Sequence, residues 1–491
     1  MIKHGIYVQE SATALTVPKE SSAGIQVVIG TAPVNTLDEP SSAVNVPILA
    51  TKATEAMARL GYSAEFDKYT LCQTMYVTAN MYQVQPVVYI NVLDPKKHKK
   101  ALAEAAVAVS SLEAVVEQTG VLKSGLVVKY EVEGEESTET VTAVEGTDYT
   151  LAFDDDGYLV VTLIAGRPIA SASEVKVSGY QLDPSAVTYS DVIGSYNSVT
   201  GAETGMEVIR QVYPKLGVVP GILLAPGWSH IPAVGIALAA KAVNINGCFK
   251  AVAVADLPTD RAKLYTDVKE VKEYCGFASE YLIVCWPQVT VGDYRFPMSA
   301  VFAARMAYYD ADEREDVPSA SPSNISLAIT GTCLADGTEV MLDQDQATVV
   351  NGYGVVTAFN NNGFRLWGNY TAAYPSDSDA KNLWISVRRM FNWQGNNFIL
   401  TYYDKVDDPM NRRLIENIVD SENIRCAGYV PEHWAGATIE YLEEDNSETD
   451  ILAGRLTFRQ HIAPYTPAQT ITNILDYDVE TLASALRGGE E

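Results

Sequence analysis

The sequence is 491 residues long, about three domains on the usual length relation, and its 47% hydrophobic content is ample for real cores. The 35 basic and 62 acidic side chains leave a formal net charge of -27, which speaks against nucleic acid as the main partner and against an anionic membrane surface. No apolar run reaches the ~18 residues of a membrane helix and "MIKHGIYVQE" carries no signal-peptide h-region, so synthesis in a cytoplasm without membrane insertion is expected.

In chain order, residues 1–24 read as an arm, with a strand-like "GIYVQE" and a Ser/Thr-rich link through Pro18. From Ile25 apolar runs alternate with helical patterns: "IQVVIG", helices near Thr54–Leu60 and Leu71–Tyr82, then "PVVYINVL". Strands apolar along their whole length are those covered on both faces. The pattern stops at "DPKKHKK" (94–100), a short basic junction, and short alternating strands with turn signals such as Asp156-Gly157 follow. Residues 101–160 hold 13 Asp or Glu against two Lys, so this reads as an inserted, acidic, all-β domain projecting into solvent.

The α/β pattern resumes at Gly205 with helices over Met206–Leu216, Ile231–Val243, Arg261–Tyr274 and Met298–Tyr309, interleaved with "GILLAPG", "FKAVAVADLP" and "YLIVCWP". Such alternation predicts a doubly wound sheet. After about Val340 the chain ends in a strand over Arg455–Ile462, a spacer broken by Pro464 and Pro467, and a second β-rich run, Thr470–Tyr477. Asp478 then caps a short helix with Val479, Leu482 and Leu486 on one face, ended by Gly488. A strand on a spacer satisfies its amides by pairing with another edge, and a helix this short must dock on something.

No catalytic, metal or cofactor site is expected. The strand ends carry no phosphate-binding glycine pattern. Ser229-His230, Asp256 and Cys285 could be written as nucleophile, base and orienter, but no strained elbow exposes Ser229. They read instead as a helix N-cap, a strand-end turn and a core thiol. "DDDG" at 154–157 lacks the acids a calcium loop needs, with Ala152 and Leu163 in their places, and reads as a hairpin turn. The five histidines show no metal spacing, and the six cysteines are scattered, as buried thiols of a reducing compartment are.

The order of features resembles the contractile tail sheath proteins of bacteriophages and phage-tail-like bacteriocins. The resemblance rests on "ETGMEVIRQVYPKLGVVPGILLAPGWS", "AVAVADLP", "FPMSAVFAARMAYYDADEREDVPSASPSN", "NGYGVVTAFNNNGFRLWGNYTA", "WISVRRMFNW" and "GRLTFRQHIAPYTPAQTI", collinear over about 300 residues. It implies an α/β and α+β multidomain chain: an N-terminal arm (1–24), a doubly wound-like host domain (25–95 plus 196–339), an inserted outer domain (96–195), a C-terminal inner domain (340–463) and a C-terminal arm (464–491). Copies would form stacked, hexameric helical rings around an inner tail tube, in the tail of a virion or phage-tail-like particle, with baseplate and tail terminator proteins as further partners.

The resemblance further implies that both arms pass to neighbouring subunits. The donated strands would be Gly5, Ile6, Tyr7, Val8 and Gln9 at one end and Thr470, Ile471, Thr472, Asn473, Ile474 and Leu475 at the other. The acceptor strand is expected at Leu456, Thr457, Phe458 and Arg459, and the hinges at Pro18, Pro464 and Pro467. Lys381, Arg388, Arg389, Arg412 and Arg413, conspicuous cations in an acidic chain, are candidates to face the tube, with internal salt bridges as the alternative. Two other classes compete: an α/β enzyme, which needs a pocket of convergent polar groups, and an adhesive role for residues 101–195.

Overall fold

A computed structural model of the protein describes residues 22–133, 138–154 and 156–487. The expected strand at Gly5–Gln9, the hinge at Pro18 and the helix stop at Gly488 lie outside the described residues. Strand β1 (Gln26–Gly30) is followed by β2 (Pro47–Ala50), helices α1 (Ala53–Leu60) and α2 (Thr70–Tyr76), and β3 (Val87–Asn91). Next come β4 (Lys99–Ala108), β5 (Glu113–Val116), β6 (Val127–Glu133), β7 (Thr138–Thr142), β8 (Tyr149–Phe153), β9 (Leu159–Leu163) and β10 (Glu174–Leu182). Helices α3 (Tyr189–Ile193) and α4 (Val212–Leu216) lead into β11 (Ile222–Leu224), α5 (Pro232–Val243), β12 (Val252–Asp256), α6 (Val268–Cys275) and β13 (Leu282–Cys285).

These strands build a six-stranded sheet in the order β13-β12-β11-β1-β3-β2, parallel except that β2 runs antiparallel to β3. Every residue of β1, β3, β11, β12 and β13 is buried, which is why their sequences are apolar without alternation. Both edges of the sheet are closed from within the chain. Beside β13, Val356 accepts from the Trp286 amide (2.9 Å) and donates to Val284 (2.8 Å), and Ala372 donates to Leu282 (2.8 Å). At the other edge β2 is four residues long and starts on a proline, and the Arg59 guanidinium caps the Leu49 carbonyl (3.2 Å).

The remaining elements are β14 (Gln288–Val291), β15 (Tyr294–Phe296), α7 (Met298–Glu313), β16 (Gly331–Cys333), α8 (Gln344–Gly352) and the hairpin β17 (Thr357–Asn360) and β18 (Phe364–Trp367). The chain finishes with α9 (Ala380–Leu383), α10 (Ile385–Tyr402), α11 (Arg412–Ala427), β19 (Trp434–Glu440), α12 (Glu448–Leu452), β20 (Arg459–Pro464) and α13 (Val479–Leu486). Three cores result. The largest surrounds the six-stranded sheet; a second, including Leu102, Val128, Tyr149, Val161 and Val177, lies within residues 99–182. The third gathers Ala23, Val317, Met390, Trp393, Cys426 and Trp434.

Several expectations shift. The C-terminal region does not separate at 340, because Ala347, Val350, Val356, Phe359, Leu366 and Ile385 all pack into the largest core. The helix expected from Arg261 starts only at Val268: the Asp267 carboxylate accepts the amides of Lys263 (3.2 Å) and Leu264 (2.9 Å) and holds a turn there. The helix expected over Met206–Leu216 is a 3-10 turn (Gly205–Gln211) running into the short α4, which contains Pro214. Strand β4 is rich in alanine, and its pairing with β10 overrides the weak β preference of that residue. Of the six cysteines, Cys248 is exposed and the others are buried.

Candidate assembly interface

Strands β19 and β20 form a two-stranded antiparallel sheet, with Ile439 opposite Gln460, Thr438 opposite His461 and Ala437 opposite Ile462. It sits on α10 and α11 through the third core. Trp434 is fully buried there, its indole N–H bonds the Cys426 carbonyl (3.0 Å), and its ring meets Trp393 and Tyr429 edge to face.

Beneath the hairpin lies a buried polar network centred on Glu422, which is 0% exposed. Its carboxylate accepts from Gln394 Nε2 (2.5 Å), Arg425 Nη2 (2.7 Å), Gln460 Nε2 (3.0 Å) and the Tyr402 hydroxyl (3.2 Å). Burial alone would raise the Glu422 pKa, but the Arg425 guanidinium and the two amides outweigh it and hold the carboxyl below its usual range. Burial pushes the neighbouring Cys426 thiol up to about 12. Gln460 thus ties β20 to both helices below it.

The acceptor strand was expected at Leu456–Arg459, and only Arg459 of these belongs to β20. The reason is local: the Asn446 side chain accepts the Thr457 amide (2.7 Å) and donates to the Thr457 carbonyl (2.8 Å), so this backbone is already satisfied. Pro464, expected to stop the strand, is its last residue.

Beyond Pro464 the chain leaves the body. Residues 465–478 carry no strand or helix, and Tyr370 donates a hydrogen bond to Gln469 Oε1 (2.6 Å) near the root. Ile471 is 87% and Leu475 86% exposed; Ile474 and Tyr477 are also exposed. Asp478 caps α13 by accepting the Thr481 amide (2.9 Å), and the helix's Val479, Leu482 and Leu486 face solvent. Fourteen extended residues reach ~45 Å.

The candidate tube-facing cations divide. Arg388 and Arg389 are buried and form no surface: Arg389 Nη2 bonds Asp310 Oδ2 (2.5 Å) and the Ala23 carbonyl (3.2 Å), while Arg388 lies over the Tyr281 ring at 5.0 Å. Both fall on the inward face of α10, where an apolar-periodic helix accommodates charge only with partners. Lys381, Arg412 and Arg413 are exposed, with Lys381 3.7 Å from Asp379 and Arg412 2.7 Å from Glu416.

The strand ends of the large sheet enclose a cleft of about 510 Å³ lined by Thr70, Gln73, His230, Asp256, Arg261 and Arg295, among others. Of the three aspartates lining it, Asp256 is tied into the core: it accepts from Ser229 Oγ (2.9 Å), the Ser299 amide (2.8 Å) and Ser299 Oγ (2.5 Å). Burial raises the Asp256 pKa against these donors. Ser229 is not the N-cap of α5, which is Ile231; its hydroxyl accepts the Asp256 amide (3.1 Å) and bonds the carboxylate directly. The Cys285 thiol is buried and its pKa well above the ordinary value. At 154–157 the Asp154 carboxylate accepts the amides of Asp156 and Tyr158, a turn.

Residues 422, 423, 446 and 460 were not singled out from the sequence. One signal was there: Ile415, Ile418, Glu422 and Cys426 share one helical face, so Glu422 stands where an apolar residue belongs.

Among the described residues, then, no strand pairs with the outer edge of β20, and the apolar tail that leaves it is exposed. No protein-family model matches the chain. It is 28% identical over 440 residues to the tail sheath protein of Burkholderia phage BcepMu, covering 86% of this chain and 85% of the relative. It is 25% identical over 296 residues to the tail sheath protein of Escherichia phage P2, covering 58% and 70% respectively. In fold it is similar to the sheath complex of the PVC extracellular contractile injection system in its contracted state, with a TM-score of 0.57 at 13% identity over 98% of this chain and 99% of that one. The resemblance to contractile tail sheath proteins is therefore shown, in sequence and in fold.

Proposed function

We propose that this chain is the structural, non-enzymatic subunit of a contractile tail sheath, polymerising as stacked helical rings around an inner tail tube and contracting to drive the tube through a target cell envelope. The observation that carries it is the C-terminal tail: Ile471, Ile474, Leu475 and the apolar face of α13 are exposed beyond a spacer, next to a hairpin whose β20 edge is unpaired among the described residues. Apolar side chains and strand amides in this arrangement are satisfied by a neighbouring copy. Because donor and acceptor surfaces differ, the contact is heterologous and builds rings or helices instead of closed dimers.

In this reading Thr470–Leu475 is the donated strand, Pro464 and Pro467 frame its hinge, and the acceptor is the free edge of β20 at Gln460 and Ile462. The strand at Gly5–Gln9, hinged at Pro18, is its counterpart. Four or five backbone hydrogen bonds at a net ~0.5–1.5 kcal/mol each give a few kcal/mol per arm, which repetition around a hexameric ring multiplies. The six-stranded sheet is the doubly wound host, residues 96–195 are an inserted outer domain, and Lys381, Arg412 and Arg413 are the remaining tube-facing candidates. Baseplate and tail terminator proteins close the assembly in the tail of a phage or phage-tail-like particle. An enzyme, or an adhesive role for residues 101–195, leaves the tail unexplained.

Negative-stain microscopy of the full chain with its tail tube protein tests the reading. Hollow striated cylinders on tubes are expected; a protein that stays dispersed with tube present overturns it.

A further inference from the structure

Two asparagines make the same contact at two places in the C-terminal region. Asn423, on α11, donates its side-chain Nδ2 to the Ile439 carbonyl (3.0 Å) and accepts the Ile439 amide at Oδ1 (2.9 Å). Asn446 does the same to Thr457 (2.8 and 2.7 Å). In each case a primary amide reproduces the donor and acceptor that a neighbouring strand would offer one residue, and uses up that residue's pairing capacity.

The register fixes the consequence for the hairpin. Antiparallel ladders alternate pairs whose backbone groups face each other with pairs whose groups face outward. Ile439 spends its amide and carbonyl on Asn423, so the pair Ile439 and Gln460 is of the outward kind, and so is Ala437 with Ile462 two residues on. The amides and carbonyls of Gln460 and Ile462 therefore point off the far edge of β20, where no further strand lies among the described residues. The Gln460 side chain, held by Glu422 and Gln394, keeps those groups at a fixed height. The hairpin thus has β19 plugged at Ile439, a plugged approach at Thr457, and Gln460 and Ile462 facing outward on β20.

We propose that Asn423 is a specificity-determining residue for assembly: by plugging β19 at Ile439 it restricts an incoming strand of a second copy to the β20 edge at Gln460 and Ile462. The inference rests on the strand-donation reading and adds to it which edge is used and what enforces the choice. Without the plug, the Ile439 amide and carbonyl become a second template, and a strand paired there enters from the opposite side of the sheet, out of register with the lattice.

Photocrosslinking in the full-length protein separates the outcomes without assuming a register. A benzoylphenylalanine at position 474 is assembled, irradiated, and its crosslinked peptides mapped by mass spectrometry. With Asn423 present, intermolecular crosslinks are expected on residues 459–464 and not on 434–440, since a second strand lies a further ~5 Å away. In Asn423→Ala, label on 434–440 should rise from undetectable to roughly a tenth or more of the total, because the freed pair competes for the same strand. Asn423→Asp keeps an acceptor for the Ile439 amide but no donor for its carbonyl, and should lie between the two, guarding against a variant that merely misfolds. Label on 434–440 with Asn423 intact, or the same distribution in all three proteins, overturns the plug. Crosslinks confined within one chain in assembled sheaths would overturn strand donation itself, and the plug with it.

Discussion

The six-stranded sheet and the β19–β20 hairpin handle the same hazard in opposite ways. The large sheet closes both its edges from its own chain, with Val356 and Ala372 along β13 and a short, proline-started β2 on the other side. The hairpin has no strand on the outer edge of β20 among the described residues, and an exposed apolar tail is attached to that same strand. In one region backbone pairing is completed within the molecule; in the other it is left open among the described residues, and the proposed strand donation would use it.

The comparison can be broken most forcefully by removing the tail. A stop codon at position 470 should abolish sheaths and leave soluble monomers by electron microscopy and sedimentation, with the unfolding transition of the body unchanged. Ordinary sheaths from that truncation would make the open edge irrelevant. Next in size is Glu422→Ala, which leaves Arg425 buried without its carboxylate partner. It should cost about 3–5 kcal/mol of stability in denaturant titration, with the hairpin lost first. Asp256→Ala strands the hydroxyls of Ser229 and Ser299 in the larger core. That should cost about 1–3 kcal/mol while sheaths, once folded subunits are present, still form.

A pH series sharpens the same contrast. The fold favours the Glu422 carboxylate, so the unfolded chain binds more protons there. The stability it contributes is complete above the ordinary glutamate value of about 4.3 and is lost as pH falls through the depressed folded value. Acid titration of unfolding free energy should show this slope in the wild type and a shallower one in Glu422→Gln. The smallest effect on the body is expected from reversing Arg412 and Arg413 to glutamate. Arg412 is exposed and the change should stay within about 0.5 kcal/mol, yet co-sedimentation with tail tubes should weaken if this surface faces the tube. Unchanged co-sedimentation removes these two candidates.

Much of the fold could be read beforehand for a simple reason: buried strands such as Val87–Asn91 and Val252–Asp256 announce themselves as apolar runs, and α5 begins at the proline that suits a first helical turn. The tail was legible through Pro464, Pro467 and the capped helix at Asp478. What escaped was set by side chains answering backbone groups far along the chain. Nothing near Thr457 reveals that Asn446 takes its amide, so the strand expected from Arg455 begins only at Arg459. Arg388 and Arg389 looked like a surface because their partners, Asp310 and Tyr281, lie 79 and 107 positions earlier. The domain boundary near 340 failed because the largest core recruits helix α8 and the β17–β18 hairpin across it.

The third core also has a mechanical meaning. Ala23 packs in it, Arg389 grips the Ala23 carbonyl and Ser22 bonds Asp316, while Ile462, two residues before the chain departs at its other end, packs against the same cluster. A tug on the chain ahead of Ser22 and a tug on the chain beyond Pro464 are therefore borne by one small block around Trp393 and Trp434. Force entering at one end can cross to the other over a few side chains of this block.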